Sequence, residues 1–214
     1  MKRVVVIGIG IFGFNIVKTL YENGVEVIAI DKDKDVIQDV KDYCTKAIIA
    51  DGLDKNIINA IGLQEDDIVI ISFGENLAAS TLMTLHLKQL KIKNIIVKAP
   101  NTEHKIILES VGATDVIIPE KEMANKLAKS LISPNVIDYI PLTDDYLICE
   151  IAPPQSFVGK TLEELHMRTK YNINVIAIRD TLTDKIQVTK ADSVIKDSEA
   201  LVVIGKSGDI DKLR

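Results

Sequence analysis

The sequence predicts an α/β protein in which a doubly wound, six-stranded parallel sheet is followed by a small α+β domain. Six strand-sized apolar runs alternate with helix-sized segments between Arg3 and Ile118. These runs are continuously apolar, as expected of strands covered by helices on both faces. Beyond a turn-rich break at Ser133–Asn135 the strands become shorter and hairpin-like, which indicates a second domain.

Each element of the first domain has its own sequence signal. Gly24, Gly62 and Gly112 follow three helix-sized segments, at the position where a left-handed residue commonly ends a helix. After the sixth strand, Pro119 opens a further helix with apolar residues at helical spacing over Glu120–Leu131. The six predicted strands are Arg3–Ile7, Glu26–Ile30, Ala47–Ala50, Asp67–Ser72, Asn94–Val97 and Asp115–Ile118.

The domain boundaries follow from the composition shift. We expect a first domain over residues 1–132, a linker over 133–141 and a small α+β domain over 142–214. The second domain is too small to be a typical substrate-binding domain. Its predicted elements are a short helix at Leu162–Leu165 and the strands Tyr146–Ile151, Val175–Arg179, Lys185–Val188 and Ala200–Ile204.

Charge and hydropathy exclude several function classes. Acidic residues number 31 against 26 basic ones, without a dense basic cluster, so a nucleic-acid partner is not expected. The longest apolar runs are strand-sized, which predicts neither a transmembrane helix nor a signal peptide. We therefore expect a cytoplasmic protein.

The cysteines and histidines are scattered along the chain. Cys44 and Cys149 are far apart in sequence, and we expect both to be small buried hydrophobic residues. His86, His104 and His166 form no metal-ligand spacing. Zinc sites and hydrolase sites therefore lack their usual motifs.

The glycines at the amino terminus are spaced as G-x-G-x-x-G, between the first strand and a helix. Gly8 would permit the tight turn, Gly10 the close approach of a diphosphate, and Gly13 the packing of the helix on the sheet. The amides at the start of that helix would face the anion.

Asp31 closes the second strand, about 20 residues after the glycines. Its carboxylate can accept hydrogen bonds from ribose hydroxyls and would repel a 2′-phosphate, which disfavours NADP. The expected ligand therefore has an adenosine and a diphosphate, as NAD(H), ADP and ATP do. The alternative is that the glycines serve packing alone and that Asp31 is a solvated strand-end residue.

Further polar residues follow the later strands, at the sheet edge where open α/β sheets bind ligands. Among them, Lys98 can neutralise a phosphate, and Glu120 can hold a divalent cation such as Mg²⁺ beside the phosphates. Strand ends can also be polar because loops are hydrated. The complete set after strands three to six is Asp51, Ser72, Gly74, Glu75, Asn76, Lys98 and Glu120.

The chain resembles a known family over nearly its whole length. The segments that carry the resemblance include VVVIGIGIFGFNIVKTL, NIIVKAPNTEHKIILESVGATDVIIPEKEMANKLAKSL and EIAPPQSFVGKTLEEL. They are similar to the cytosolic regulatory subunits of KtrAB/TrkA-type potassium uptake systems. The resemblance implies an RCK N-lobe with a Rossmann-like fold, a linker and an RCK C-lobe.

The resemblance also implies a regulatory protein without enzymatic activity. Family members form homodimers that assemble into octameric rings, peripheral on the inner face of the cell membrane beneath a potassium-translocating subunit of the KtrB/TrkH type. ATP or ADP in the N-lobe changes the shape of the ring. Many close relatives have an arginine where this chain has Ile11, so the discrimination between ATP and ADP does not carry over. The implied nucleotide-binding residues are Gly8, Gly10, Ile11, Phe12, Gly13, Asp31, Lys32, Asp51, Gly52, Ser72, Gly74, Asn76, Lys98 and Glu120, with Glu120 also linked to a cation.

The C-lobe resembles a cyclic di-AMP receptor that binds its ligand across a dimer interface. Arg168 matches the arginine that binds phosphate in the family, and its fork can pair two phosphate oxygens. Lys190-Ala191 stands where several receptors have a proline, and Arg168 can also be a solvated charge at a helix end. The implied effector-binding residues are Leu162, Met167, Arg168, Asn174, Val175 and Ile176.

The predicted function is therefore that of a nucleotide-binding regulatory subunit. The alternative is a small NAD-dependent oxidoreductase or an NADH redox sensor. An oxidoreductase needs a proton-transfer residue, for which the C-lobe offers His166. A redox sensor that acts on transcription would need a DNA-binding motif, and none is evident in the sequence.

Overall fold

The computed structural model describes residues 3–73, 76–132, 136–143 and 145–213 of the chain. It divides into two compact units between Met123 and Ala124. The division falls within a helix, several residues before the end of the predicted first domain. Each unit contains one sheet among the described residues.

The sheet of the first unit has six strands in the order β3-β2-β1-β4-β5-β6, and every neighbouring pair is parallel. This order confirms the doubly wound topology. Each predicted strand agrees with the structure to within one residue at either end, because continuous β-branched runs between polar turns mark buried strands clearly. The strands are β1 Val4–Ile7, β2 Val27–Asp31, β3 Lys46–Ile49, β4 Ile68–Ile71, β5 Asn94–Lys98 and β6 Asp115–Ile117.

Helices cover both faces of this sheet. Along β1, Val5 and Ile7 lie in one hydrophobic core, and Val4 and Val6 lie in a second core on the opposite face. The two cores explain why the runs are continuously apolar. None of the described helices has the length and apolar character needed to cross a membrane. The helices of this region are α1 Ile11–Glu22, α2 Lys34–Val40, α3 Lys55–Ile61, α4 Leu77–Gln89, α5 Thr102–Val111 and α6 Pro119–Ile132.

The sheet of the second unit has five strands in the order β10-β9-β11-β8-β7, and every neighbouring pair is antiparallel. Its core includes Cys149, Phe157, Ile178, Ile195 and Leu201. The short helix predicted at Leu162–Leu165 is confirmed. The elements are β7 Val136–Pro141, β8 Tyr146–Ile151, α7 Leu162–Leu165, α8 Met167–Lys170, β9 Asn174–Asp180, β10 Ile186–Val188, β11 Glu199–Lys206 and α9 Ser207–Ile210.

Strand β7 occupies most of the segment that the sequence assigned to a linker. Its backbone pairs with β8, from Val136 opposite Ile151 to Pro141 opposite Leu147. Residues 136–140 are rich in strand-forming side chains, and Pro141 is tolerated because β7 is an edge strand. Ser133–Asn135, on which the linker prediction was based, lie outside the described residues.

The two cysteines are buried and free, as predicted. Burial raises the pKa of the Cys149 thiol to about 12 and also raises the pKa of Cys44. Because the thiolate is the reactive form, we expect the native protein to react very slowly with Ellman's reagent at pH 8. Unfolding in guanidinium should release both thiols at once. A rapid reaction of the native protein would contradict the buried placement.

Candidate functional site

A crevice lies at the carboxyl ends of β1 and β4, where the strand order of the first sheet reverses. Open α/β sheets bind their ligands at this switch point. A cavity of about 390 Å³ is present there. It is lined by Ile7, Gly8, Ile30, Asp31, Lys32, Asp51, Gly52, Leu53, Phe73, Asn76 and Ala79.

The three glycines of the loop between β1 and α1 have different surroundings. Gly8 has a φ of +88°, and a Cβ there would lie 3.0 Å from the Phe73 ring. A Cβ on Gly13 would lie 2.3 Å from the Gly8 carbonyl oxygen, whereas a Cβ on Gly10 would meet no atom of the described residues within 4 Å. The turn therefore requires Gly8, the packing of α1 requires Gly13, and Gly10 leaves open space for a ligand.

The amino terminus of α1 has no side-chain cap. Gly10 occupies the N-cap position without any capping hydrogen bond from a side chain, and Ile11 beside it is 89% exposed. By contrast, Asn76 caps α4 through the Ala79 amide and Asn101 caps α5 through the His104 amide. Uncapped first-turn amides at the positive end of a helix dipole favour an anion.

Asp31 connects the second strand to the glycine loop. Its Oδ2 accepts a hydrogen bond from the Ile9 amide at 2.6 Å, and its Oδ1 accepts one from the Asp33 amide at 2.9 Å. Each carboxylate oxygen has a second lone pair. The carboxylate is thus fixed beside the cavity and can still accept hydrogen bonds from two ribose hydroxyls.

Ser72 follows β4 and lies beside α1. Its side chain is buried, and its Oγ has no hydrogen-bond partner in the part of the chain that the structure describes. A Cβ on Gly13 would lie 3.0 Å from this Oγ. A buried hydroxyl without a partner costs about 1–3 kcal/mol. The unpaired Ser72 hydroxyl and the open side of Gly10 therefore fit a polar ligand at the start of α1.

Lys98 and Glu120 form an ion pair at the ends of β5 and β6, with 2.5 Å between Nζ and Oε1. The Lys98 ammonium holds the pKa of Glu120 below its usual range. Neither residue lines the cavity beside Gly8, but Lys98 Nζ lies 5.9 Å from the centre of the Phe12 ring in the first turn of α1. Among the described residues no cluster of His, Cys, Asp and Glu can hold a metal ion. A cation at Glu120 would therefore need oxygens from a bound phosphate.

The structure thus brings together Gly8, Asp31, Lys32, Asp51, Gly52 and Asn76 around one cavity. Gly10, Ile11, Phe12, Gly13, Ser72, Lys98 and Glu120 do not line it, and Gly74 and Glu75 lie outside the described residues. Sequence reasoning missed the apolar lining, above all Phe73 and Leu53. Phe73 directly follows Ser72 at the end of β4, so its position in the chain could have identified it, although its side chain is apolar.

Gly52 is required by packing. A Cβ at this position would lie 2.4 Å from Ile7 Cγ2 and 3.7 Å from the Phe73 ring. Gly52 therefore lets the loop after β3 approach β1 closely. The sequence proposed it as a ligand contact, and the structure gives it this structural role at the wall of the cavity.

A second cavity, of about 400 Å³, lies in the second unit. Arg168 and Asn174 both line it, and Arg168 Nε donates a hydrogen bond to Asn174 Oδ1 at 3.0 Å. Of the predicted residues, Ile176 does not line the cavity. Ile176 is partly exposed and is the extra residue of a β-bulge, because the pairing of β9 with β11 passes from Val175 directly to Ala177. The lining is Leu162, Glu163, His166, Met167, Arg168, Thr169, Asn174, Val175, Thr189, Lys190 and Ala191.

Two family models match the chain: the TrkA-N domain over residues 4–119 and the TrkA-C domain over residues 148–214. Ktr system potassium uptake protein C of Bacillus subtilis is 39% identical over 99% of this chain and 95% of its own length. Ktr system potassium uptake protein A of the same organism is 38% identical over 98% of this chain and 94% of its own length.

A comparison of structures gives the same fold. The GsuK channel matches 98% of this chain and 38% of its own length, with a TM-score of 0.67 and 15% identity. The GsuK channel bound to NAD matches 99% of this chain and 38% of its own length, with a TM-score of 0.63 and 14% identity. The matched domains and the full-length similarity agree, and the chain therefore belongs to the family of KtrA/TrkA-type regulatory subunits of potassium uptake systems.

Proposed function

We propose that the first unit binds an adenine nucleotide with a diphosphate, namely ADP, ATP or NAD(H), and that the chain thereby regulates a membrane potassium-translocating subunit of the KtrB/TrkH type. One observation carries the proposal: an uncapped helix start with open space at Gly10 lies beside a fixed carboxylate, Asp31. The names of the Ktr relatives support the link to potassium uptake. The main chain would bind the phosphates, and Asp31 would bind the ribose.

Regulation would follow from differential affinity. A ligand shifts an equilibrium between two protein shapes only by the difference in its affinity for them. The shapes in question are those of a ring assembled from homodimers, by analogy with the family. Exposed apolar side chains on α4 and α6, among them Leu82 and Leu131, support contacts between subunits because large exposed apolar groups mark interaction surfaces.

The second cavity supports a separate proposal, that the second unit binds cyclic di-AMP. Arg168 is oriented by Asn174, so its remaining guanidinium donors can pair phosphate oxygens. The apolar side chains of Leu162 and Met167 in the same cavity suit an adenine ring. A two-fold symmetric ligand also suits an interface between two copies of one chain.

Asp31→Ala tests the nucleotide site. We expect ADP and NADH to bind the variant at least about tenfold more weakly, because charge-assisted hydrogen bonds to the ribose are lost. Isothermal titration of ATP, ADP and NADH against both proteins measures the effect. Asp39→Ala is the matched control, since Asp39 is an exposed acid on α2 and its loss changes the net charge equally.

Two results would contradict the proposal. Equal nucleotide affinity of the wild-type protein and the Asp31→Ala variant would remove Asp31 from the site. Turnover of NADH with carbonyl substrates by the purified protein would favour the oxidoreductase alternative over a regulatory subunit.

A further inference from the structure

We propose that Lys98 changes partner when a nucleotide binds: it leaves Glu120 and pairs with the phosphate farther from the adenosine. Glu120 then competes with the ligand for Lys98. When a nucleotide is bound, Glu120 is released, and the first turn of α6 loses its ion pair with β5. The inference rests on the proposed nucleotide-binding function and adds a means of regulation to it.

The ion pair connects two different elements. Lys98 is the last residue of β5, and Glu120 is the second residue of α6. Their contact, at 2.5 Å, holds the start of α6 against the end of the neighbouring strand. Any ligand that takes Lys98 away from Glu120 removes this connection.

Lys98 is placed to meet a phosphate. In the strand order β1-β4-β5, β5 lies two strand spacings, about 10 Å, from β1. The side chains of Lys98 and Phe12 together bridge this distance, since Lys98 Nζ lies 5.9 Å from the centre of the Phe12 ring in the first turn of α1. A diphosphate held by the α1 amides and directed toward β4 brings its second phosphate to this ammonium.

The different exposure of the two side chains favours the replacement of Glu120 by a phosphate. The Lys98 side chain is 21% exposed, whereas that of Glu120 is 65% exposed. The charge of a mostly buried side chain needs an anionic partner, but an exposed carboxylate loses little when it returns to water. A phosphate that replaces Glu120 therefore keeps Lys98 paired and leaves Glu120 hydrated.

Glu120→Gln tests the exchange, measured by isothermal titration of ADP in EDTA so that divalent cations play no part. We expect the variant to bind ADP about fivefold more tightly, because the competing carboxylate of a partly exposed ion pair is gone. AMP lacks the second phosphate, so its affinity should change less than about twofold. Lys98→Gln should weaken the binding of ADP.

The matched control is Glu122→Gln, which removes an exposed acid from the same first turn of α6. It reproduces the change in net charge and in the interaction with the helix dipole. We expect this variant to bind ADP like the wild-type protein. The unfolding midpoint of each variant without ligand checks that it is folded.

The outcomes separate the two proposals. Suppose that the wild-type protein binds ADP. If the Glu120→Gln variant then has no higher affinity for ADP, or if Glu122→Gln raises the affinity equally, the exchange is wrong but the proposed nucleotide site is not affected. The exchange would also be wrong if Glu120→Gln raised the affinity for AMP as much as the affinity for ADP. If the wild-type protein binds no adenine nucleotide, the proposed function and the exchange fail together.

Discussion

Gly13→Ala is expected to destabilise the first unit by about 3 kcal/mol, the upper end of the cost of overpacking a tight contact. The added Cβ would lie 2.3 Å from the Gly8 carbonyl oxygen and 3.0 Å from Ser72 Oγ. One atom belongs to the backbone directly after β1 and the other to the buried side chain directly after β4, so relief requires α1 to move away from the sheet. Denaturant unfolding followed by circular dichroism measures the loss.

Gly10→Ala is the control for Gly13→Ala, because it should weaken ligand binding without a loss of stability. Gly10 has an extended backbone that alanine also adopts, and in the part of the chain that the structure describes the new Cβ meets no atom within 4 Å. We expect stability within about 0.5 kcal/mol of the wild-type value and ADP binding at least about tenfold weaker, since the methyl group takes the space of the phosphate. A stable Gly13→Ala variant, or a Gly10→Ala variant with normal affinity, would refute this division of roles.

Arg168→Ala is expected to abolish the binding of cyclic di-AMP and to leave the binding of ADP unchanged. The variant removes the guanidinium that Asn174 orients within the second cavity, and charge-assisted bonds to phosphate are among the strongest polar contacts. The fold should tolerate the change, because the hydrogen bond between Arg168 and Asn174 is exposed. Isothermal titration with each ligand in turn gives both affinities.

Lys170→Ala is the control for Arg168→Ala. Lys170 ends the same short helix, does not line the cavity and lies over the Tyr171 ring instead. Removing it changes the net charge equally without touching the cavity. If the affinity for cyclic di-AMP falls equally in both variants, Arg168 acts only through long-range charge. If the affinity falls in neither variant, the second cavity does not bind the ligand.

The sequence predicts the first sheet well because its strands are local features. A run such as Val4–Ile7, buried on both faces, is recognisable without knowledge of its neighbours. Strand β7 was missed for the opposite reason. Among the described strands it pairs with β8 alone, and such pairing between segments is not visible in the composition of either one.

The sequence predicted individual residues of the candidate site but not the contacts between them. The dinucleotide-binding fingerprint selected Asp31, and the rule that ligands bind at the carboxyl ends of strands selected Asp51; both residues line the same cavity. The strand-end rule gave no sign that Lys98 and Glu120, which lie on different elements, are each other's partners. It also passed over Phe73, because a search for polar groups does not select the apolar wall of a pocket.

The hydrogen bond that begins α4 also determines what Asn76 can offer a ligand. Its Oδ1 accepts a hydrogen bond from the Ala79 amide at 3.0 Å, while the residue lines the cavity beside Gly8. A carboxamide whose oxygen is engaged in this way has N–H groups left to present. On this wall Asn76 would therefore donate a hydrogen bond to a ribose or phosphate oxygen of a bound nucleotide.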